Sequence, residues 1–344
     1  MGLPHAHVLI CRTDNIGDVI LTLPLAGFLK QRYPGICISF LCRAYAAPVA
    51  RNCRFIDHVI TLEALDDPAS YFAAAAVDSI IFAYPQRRLA LAARKAGIRY
   101  RVGTSHRWFH WLACNRLAHF SRARSTLHEA LLNFALLRPL GLHQAPALAA
   151  LPALYGLRAQ RQASVDALFS GAPFNLILHP KSNGNGREWP AGHYARLAQR
   201  LLAEPDIRLW ITGSASEGAV LEREAAALLA LPNVRMLCGQ FDLDGLLALI
   251  GACDGLVASG TGPLHMAAAL GRPALGLFPP LKPIDAARWG ALGEQAQNLC
   301  VARSCSACSN AAACACMQDI TPQQVADVVL AWHREKRKGS FGVH

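Results

Sequence analysis

The feature that most constrains the fold is a repeated alternation of short apolar runs with longer stretches of helical periodicity. This alternation is typical of β-α units around a parallel sheet, because strands covered on both faces are apolar throughout. A first set of runs predicts strands at 7–11, 36–41, 58–60, 79–82 and 100–102. A second set predicts strands at 175–178, 207–211, 234–237, 255–258 and 274–278. The sequence therefore predicts an α/β protein with two doubly wound, Rossmann-like units in tandem.

Chain length and composition place the boundary between these units. A chain of 344 residues corresponds to about two domains at about 150 residues each. Residues 140–173 are rich in Ala, Pro and Gly, which is typical of a linker. We therefore expect a first domain over 1–155, a second over 156–321, and a C-terminal helix with a short tail over 322–344.

Charge is distributed unevenly between the two halves. Residues 1–170 hold 19 basic and 9 acidic side chains, whereas residues 171–344 hold 15 and 14. Between Asp78 and Glu129 there is no acidic residue, although arginines and tryptophans are frequent. A cationic surface of this kind suits a polyanionic partner, and nucleic acid, an anionic membrane surface and a phosphorylated acceptor all fit. No recognisable nucleic-acid-binding module is present, so we expect no nucleic-acid partner.

Two classes of location are disfavoured by the sequence. No stretch of about 18 apolar residues lacks a charge or a Gly/Pro break, so no transmembrane helix is predicted. The first twelve residues lack the basic and apolar regions of a secretory signal. We therefore expect a cytoplasmic protein.

The loop after the first predicted strand, RTDNIGDVILTLPL, holds the first candidate site residue. Asp18 lies where this loop enters a helix, and a carboxylate there can act as a general base toward a bound hydroxyl. Its structural alternative is stabilisation of the helix N-terminus by about 0.3–1 kcal/mol. The loop lacks the G-x-G-x-x-G pattern of dinucleotide-binding units, which argues against an NAD-linked oxidoreductase.

A second candidate site follows strand 255–258, in the segment SGTGPLHM. Pro263 is expected to be the first helical residue, and a Gly-rich loop leading to free helix N–H groups suits a phosphate. The candidate binding residues for a phosphorylated ligand come from this segment and from the loops HPKSNGNGREWP and ITGSASEG, and they are Lys181, Ser182, Arg187, Glu217, Thr261, Gly262 and His265. Polar loops are usually only solvated, but three on successive strand ends of one domain favour a binding site.

A cluster of cysteines near the C-terminus is a separate candidate. Cys305, Cys308, Cys314 and Cys316 form a C-x-x-C pair followed by a C-x-C pair. Four thiolates can bind zinc, but ordinary structural zinc motifs separate the two pairs by more residues. We therefore favour free thiols or a local disulfide over zinc.

Together these segments resemble glycosyltransferase family 9, the ADP-heptose:lipopolysaccharide heptosyltransferases. The similar pieces occur in order and include RTDNIGDVILTLPLAGFLKQRYP, LHPKSNGNGREWPAGHYARLAQRL and GTGPLHMAAALGRPALGLFPP. The resemblance implies a GT-B fold, with two Rossmann-like domains facing across a cleft and the last helix packing toward the first domain. It implies that Asp18 is the catalytic base, that Arg187 and His265 bind the donor, and that Glu217 contacts its ribose.

The resemblance also implies the substrates. The implied donor is an ADP-heptose-like nucleotide sugar, and the implied acceptor is a lipopolysaccharide inner core or lipid A. We expect the basic segment to bind the acceptor through Arg99, Arg107 and Arg116. The transfer is expected to invert the anomeric centre and to need no cofactor or metal. Such an enzyme would associate peripherally with the inner face of the bacterial inner membrane.

One position departs from the family pattern. Many relatives have an aspartate where this chain has Gly260. The departure puts in question which sugar is transferred, and it keeps open an alternative function, a catalytically inactive nucleotide- or glycan-binding protein with the same fold.

Overall fold

The computed structural model describes residues 7–171, 174–182, 184, 186–301 and 315–339. The chain divides into two compact units, Met1–Arg158 and Ala159–His344. The division falls inside the segment predicted as a linker.

The first unit is built on a parallel sheet of six strands in the order β3-β2-β1-β4-β5-β6. The strands are β1 (His7–Cys11), β2 (Cys37–Cys42), β3 (His58–Thr61), β4 (Ser79–Phe82), β5 (Tyr100–Thr104) and β6 (Arg116–Ala118). Strand β1 is central, and its residues from Val8 onward are buried because helices cover both faces of a parallel sheet. The chain leaves β1 toward β2 on one side and later returns to β4 on the other, so β1 and β4 border the topological switch point.

Short helices connect these strands. They are α1 (Ile16–Ile20), α2 (Leu23–Arg32), α3 (Ala47–Arg51), α4 (Pro68–Ala74), α5 (Arg87–Lys95), α6 (Trp108–Ala113) and α7 (Glu129–Phe134). Helix α5 has an apolar stripe that packs Leu89, Ala90 and Ala93 into the core.

The second unit repeats the architecture. Its six parallel strands have the order β12-β11-β10-β7-β8-β9, and the switch point lies between β7 and β10. The strands are β7 (Phe174–His179), β8 (Ile207–Ile211), β9 (Val234–Met236), β10 (Gly255–Ser259), β11 (Ala274–Phe278) and β12 (Ala296–Cys300).

The helices of the second unit include the C-terminal helix. They are α8 (Ala163–Phe169), α9 (Ala191–Leu201), α10 (Ala215–Glu224), α11 (Ala226–Leu229), α12 (Leu243–Ala252), α13 (Gly262–Ala269), α14 (Ala286–Trp289), α15 (Ala315–Gln318) and α16 (Pro322–Arg337). Within this unit α16 packs against α9, and its Trp332 is part of the apolar core. His333 bonds to Asp206 at 2.8 Å, and Lys336 pairs with Asp254 at 2.6 Å.

The predicted α/β class and all ten predicted strands are confirmed, with ends shifted by a residue or two. Two edge strands, β6 and β12, were not predicted, because one has three residues and the other is polar and largely exposed. The segment 140–173, predicted as a linker, is in part packed against the first unit. Leu151, Leu154 and Tyr155 are buried, and a Cβ atom on Gly27 would lie 2.2 Å from the carbonyl oxygen of Leu154.

Helix α13 also differs from its prediction. It begins at Gly262, so Pro263 is the second helical residue rather than the first, and Thr261 is the N-cap. The helix still presents its first N–H groups directly after the Gly-rich loop. In the part of the chain that the structure describes, no helix is both long and apolar enough to cross a bilayer.

Candidate functional site

The first candidate site lies at the carboxyl ends of β1 and β4, at the switch point of the first unit. The loops that follow these strands are bonded to each other. The N–H of Tyr84 donates to the carbonyl of Cys11 at 3.1 Å, and Gln86 donates to Thr13 Oγ1 at 2.8 Å. The sheet thus fixes the two loops that present the polar side chains.

Arg12, the first residue after β1, is the centre of a buried ionic network. This residue is 3% exposed, and its guanidinium contacts three carboxylates. Nε donates to Asp14 Oδ1 at 2.7 Å, Nη2 donates to Asp18 Oδ1, and Nη1 lies 3.4 Å from Glu129 Oε1. Asn133 accepts from the same Nη1 at 3.2 Å, so α1 and α7 are both tied to the end of β1.

Asp18 lies in the first turn of α1 and is 8% exposed. Its Oδ1 is held by Arg12, and its backbone carbonyl accepts from Thr22 Oγ1 at 2.8 Å. The carboxylate is therefore not isolated, since it shares one guanidinium with Asp14 and Glu129. An ion pair of this kind fixes the carboxylate in one orientation, which a general base requires.

Asp14 is the carboxylate that sequence reasoning missed. Burial raises its pKa to about 6, against the opposing attraction of Arg12. The neighbouring charge of Asp18 acts in the same direction as burial. Tyr45 donates its hydroxyl to the backbone carbonyl of Asp14 at 2.6 Å, which positions the loop. A D-x-x-x-D spacing across a strand-to-helix turn was the available signal.

Glu129, the first residue of α7, completes the ionic network around Arg12. It is 1% exposed and pairs with both Arg12 and Arg122. We expect Glu129→Gln to destabilise the first unit by about 3 kcal/mol, because it removes a buried carboxylate that pairs with Arg122 and with the buried Arg12. Urea unfolding measures this loss.

The matched control is Asp166→Asn, which breaks the pair with Arg161 on the surface, where Arg161 is 85% exposed. That change should cost less than about 1 kcal/mol. Equal losses for the two variants would show that the buried network does not stabilise the fold.

The three arginines predicted to bind the acceptor lie on the surface of the same unit. Arg99 and Arg116 are exposed, and their guanidinium carbons lie 5.2 Å and 5.3 Å from the centroid of the Tyr100 ring. Arg107 is exposed and directly precedes α6. The structure therefore brings Arg99 and Arg116 together over one ring, while their role toward an acceptor stays a prediction.

The second candidate site lies at the carboxyl ends of β7 and β10. Helix α13 starts there, and no side chain of the described residues caps its N-terminus. Ser259 and Thr261 are 1% and 8% exposed, and their hydroxyls find no hydrogen-bond partner among the described residues. His265 lies on the first turn of the helix and is 4% exposed. Bare amides beside unpartnered hydroxyls are suited to a phosphorylated ligand.

The loop after β7 packs directly against this helix start. A Cβ atom on Gly186 would lie 3.0 Å from the carbonyl oxygen of Gly260, so the two backbones are in contact. Ser182 closes the loop by donating to the Gly186 carbonyl at 2.9 Å. This contact sets the residue before Arg187 against Gly260; Arg187 itself is half-buried, and its role toward a donor stays a prediction.

Lys181 is held by acids rather than left available. Its ammonium lies 2.7 Å from Glu188 and 3.4 Å from Glu224. Partial burial would lower the pKa of Lys181, but the two carboxylates outweigh it and raise that pKa. Glu188 also accepts from the backbone N–H of Ser182 at 2.9 Å, so it organises the loop. Sequence reasoning missed Glu188.

Glu217 has a clear structural role. It forms a capping box at the start of α10, where its Oε2 accepts from the N–H of Ser214 at 2.7 Å. The S-x-x-E spacing at 214–217 was the signal for this cap. Nearby, burial lowers the pKa of His179 to about 4, so this histidine is neutral at physiological pH. A contact between Glu217 and a ribose stays a prediction.

Among the described residues, one group could hold a metal ion: Glu204, Asp206 and His333, whose ligand atoms lie within 4.8 Å of one another. Asp206 directly precedes β8, so this group lies at the amino ends of the strands. Helix α13 starts at their carboxyl ends, on the opposite side of the sheet. Partial burial acts to raise the pKa of Asp206, but the bond to His333 outweighs it and lowers that pKa. The bond from His333 to Asp206, 2.8 Å long, joins α16 to the start of β8. Of the predicted zinc ligands, Cys305, Cys308 and Cys314 lie outside the described residues, and Cys316 is buried.

Comparison with known proteins agrees with this geometry. The profile of glycosyltransferase family 9 (heptosyltransferase) matches residues 78–316. A relative from Haemophilus influenzae, named as a glycosyltransferase, is 27% identical over 303 residues, covering 83% of this chain and 86% of its own. Lipopolysaccharide heptosyltransferase 2 of Escherichia coli is 36% identical over 102 residues, 29% of each chain.

Solved structures show the same fold. The Escherichia coli ADP-heptose lipopolysaccharide heptosyltransferase II superposes with a TM-score of 0.76 at 22% identity, over 96% of this chain and 99% of that one. An Escherichia coli heptosyltransferase solved with ADP superposes with a TM-score of 0.67 at 19% identity, over 95% and 99%. The fold is thus that of the GT-B heptosyltransferases. The chain belongs to glycosyltransferase family 9, and it is a glycosyltransferase.

Proposed function

We propose that this enzyme transfers a heptose, or a closely related sugar, from an ADP-sugar to a hydroxyl of a lipopolysaccharide inner-core or lipid A acceptor. The observation that carries the proposal is the start of α13. Within the described ranges, no side chain caps its N–H groups, and the hydroxyls of Ser259 and Thr261 have no hydrogen-bond partner. A structural neighbour was solved with ADP and another with a fluorinated ADP-heptose, which supports the same class of donor here.

The proposed reaction is a single displacement with inversion. Asp18 removes the proton from the acceptor hydroxyl, and the hydroxyl oxygen forms a bond to the anomeric carbon of the donor. The bond from that carbon to the diphosphate oxygen breaks, and its electron pair leaves with ADP. Glu129 and Asn133 act through Arg12, whose guanidinium orients the Asp18 carboxylate.

The charge that develops on the departing diphosphate needs fixed positive groups. The N–H groups at Gly262 and beyond and the guanidinium of Arg187 are the groups we assign to it, with His265 on the same turn. Preorganised donors of this type stabilise a transition state without reorganisation at the moment of reaction. The proposed mechanism needs no additional cofactor, because these groups supply the required stabilisation.

The acceptor is assigned to the first unit, where the basic segment lies. A phosphorylated inner core is polyanionic, and Arg99, Arg107 and Arg116 are exposed cations without an acidic partner in the described part of the chain. In this proposal the enzyme works at the cytoplasmic face of the inner membrane, where it associates peripherally.

The identity of the sugar depends on the surroundings of Gly260. A Cβ atom at this position would lie 2.8 Å from Cε1 of Phe278, a buried ring. The aromatic ring therefore occupies the space that a carboxylate side chain would need. A second candidate function is nucleotide or glycan binding without transfer. It is supported only by the absence of a carboxylate at Gly260.

We expect Gly260→Asp to destabilise the second unit by about 1–3 kcal/mol, because the new side chain overpacks against Phe278. Replacing Phe278 by leucine in the same chain should recover part of this loss, since the leucine lacks the clashing atom. Gly192→Asp is the control, because a Cβ atom at Gly192 meets nothing within 4 Å. Thermal unfolding of the unchanged chain, of Gly260→Asp and Phe278→Leu alone, of the double variant and of the control measures the coupling, and strictly additive losses would contradict the assigned contact.

The function itself is tested by incubating the enzyme with ADP-heptose and a series of truncated core acceptors, followed by mass spectrometry of the products. Matched reactions with ADP-glucose and with UDP-sugars test the donor. Addition of a heptose to one acceptor supports the proposal. ADP binding without transfer to any acceptor would favour the binding-protein alternative.

A further inference from the structure

Helices α5 and α6 of the first unit expose an unusual concentration of apolar side chains. Trp108, Trp111 and Leu112 are 61%, 60% and 56% exposed, and on α6 they are spaced i, i+3, i+4, so they share one face. Leu91 of α5 is 40% exposed. Of the six tryptophans in the chain, Trp108 and Trp111 are the exposed ones.

Arginines frame this apolar face. The guanidinium carbon of Arg87 lies 4.9 Å from the centroid of the Trp108 ring, and Arg94 donates to the carbonyl of Leu112 at 2.8 Å. Arg87, Leu91 and Arg94 are spaced i, i+4, i+7, so one stripe of α5 lies beside the exposed face of α6. We call these six residues, Arg87, Leu91, Arg94, Trp108, Trp111 and Leu112, the tryptophan-arginine face.

The charge on this face is uncompensated. In the described ranges, Arg87 and Arg94 form no ion pair, and neither does the neighbouring Arg107. Between Asp78 and Glu129 the sequence offers no acidic residue at all. A protein-protein interface with a neutral partner would leave these cations buried without anions, at a considerable cost.

We propose that the tryptophan-arginine face docks on the surface of an anionic phospholipid bilayer. Tryptophan rings prefer the interface between headgroups and acyl chains, leucine side chains enter the acyl region, and arginines pair with lipid phosphates. The face begins one residue after Gln86, which bonds to the loop of the Asp18 site. Docking would thus bring the Asp18 loop close to an acceptor embedded in the same bilayer, a consequence that rests on the proposed function.

Vesicle binding tests the docking without donor or acceptor. The full chain is mixed with vesicles of equal parts phosphatidylethanolamine and phosphatidylglycerol, and bound protein is measured by co-sedimentation. We expect the double variant Trp108→Ser, Leu112→Gln to bind at least about tenfold more weakly than the unchanged chain. The matched control changes two exposed leucines outside the face, Leu148→Gln and Leu202→Gln, which are 37% and 38% exposed.

Two further measurements separate docking from other causes. Trp111 remains in the double variant, and quenching of tryptophan fluorescence by brominated phospholipid should be strong in the unchanged chain and weak in that variant. Vesicles of phosphatidylcholine alone should bind much less, because the arginines then have no anionic lipid. Circular dichroism and thermal unfolding verify that the variants remain folded.

The proposal is overturned if the double variant and the leucine control bind the anionic vesicles equally well. It is also overturned if the unchanged chain does not co-sediment with the anionic vesicles and instead self-associates through this face, as measured by sedimentation equilibrium. Because no sugar substrate is present, failure of the docking experiment is distinguishable from absence of heptosyl transfer.

Discussion

Replacing Asp18 by asparagine is expected to lower kcat by about 10²- to 10⁴-fold, the range that a general base contributes. The asparagine keeps the shape of the side chain and can still accept a hydrogen bond from Arg12, but it cannot take the proton of the acceptor hydroxyl. ADP binding should be nearly unchanged, because the donor is assigned to the second unit. Steady-state kinetics with the best acceptor, together with a calorimetric ADP titration, measure both quantities.

Asp14→Asn is the matched control for this prediction. Asp14 shares the same Arg12 guanidinium with Asp18, at 2.7 Å, and lies in the same loop. A role limited to orienting Arg12 predicts a loss of kcat within about tenfold, since the other contacts of the guanidinium remain. Equal losses for the two variants would mean that the network as a whole, rather than Asp18, supports the reaction.

The dependence of activity on pH is an independent test of the role of Asp14. Burial raises the pKa of Asp14 to about 6, so this group gains a proton as the pH falls through that value. Protonation removes one of the anions on Arg12 and disturbs the orientation of Asp18. We therefore expect activity to decline as the pH falls through about 6, and this decline should be absent from Asp14→Asn. A decline that persists in the variant would assign it to another group.

The raised pKa of Asp14 affects folding stability in the opposite direction from activity as the pH changes. A carboxyl group whose pKa is higher in the folded chain than in the unfolded chain favours folding at low pH, and this contribution is lost as the pH rises through the folded pKa. For Asp14 the loss falls between its ordinary pKa near 3.8 and about 6. Asp14→Asn should therefore gain stability relative to the unchanged chain as the pH rises across this window.

Most of the fold could be predicted because parallel strands buried on both faces appear in the sequence as nearly continuous apolar runs. Strands β1, β4, β8 and β11 have the bounds that the sequence predicts. The pattern fails at the sheet edges, where β12 is polar and exposed, and in 140–173, where small apolar residues pack without a regular period. Edge pairing and irregular packing depend on tertiary contacts, which a periodicity does not contain.

The position of a candidate site residue could be predicted where it depends on one strand end, and not where it depends on contacts with residues distant in the sequence. Asp18 and the start of α13 follow from their positions after buried strands. The sharing of Arg12 among three carboxylates could not be predicted, because Glu129 is 117 residues away in the sequence. Likewise, the acids that hold Lys181 include Glu224, which lies at the end of helix α10.

The loop after β7 carries two cations, Arg187 and Lys181. The sequence predicts both as phosphate ligands, and the structure pairs Lys181 with Glu188 at 2.7 Å. We expect Arg187→Ala to lower kcat/KM for the donor by about 10²- to 10³-fold, as for the loss of one preorganised donor to a developing anion. The same change should weaken ADP binding, because the ground-state diphosphate loses its guanidinium.

Lys181→Ala should act differently, through the loop rather than through the phosphate. Without the ammonium, Glu188 is left beside Glu224 with a weaker hold on the loop, so stability should fall by about 1 kcal/mol while ADP affinity changes by less than about tenfold. Glu188→Gln is the informative partner, since it releases the lysine and keeps its charge. If ADP binds tighter to Glu188→Gln and weaker to Lys181→Ala by similar factors, the lysine itself contacts the diphosphate, and the division between the two cations is wrong.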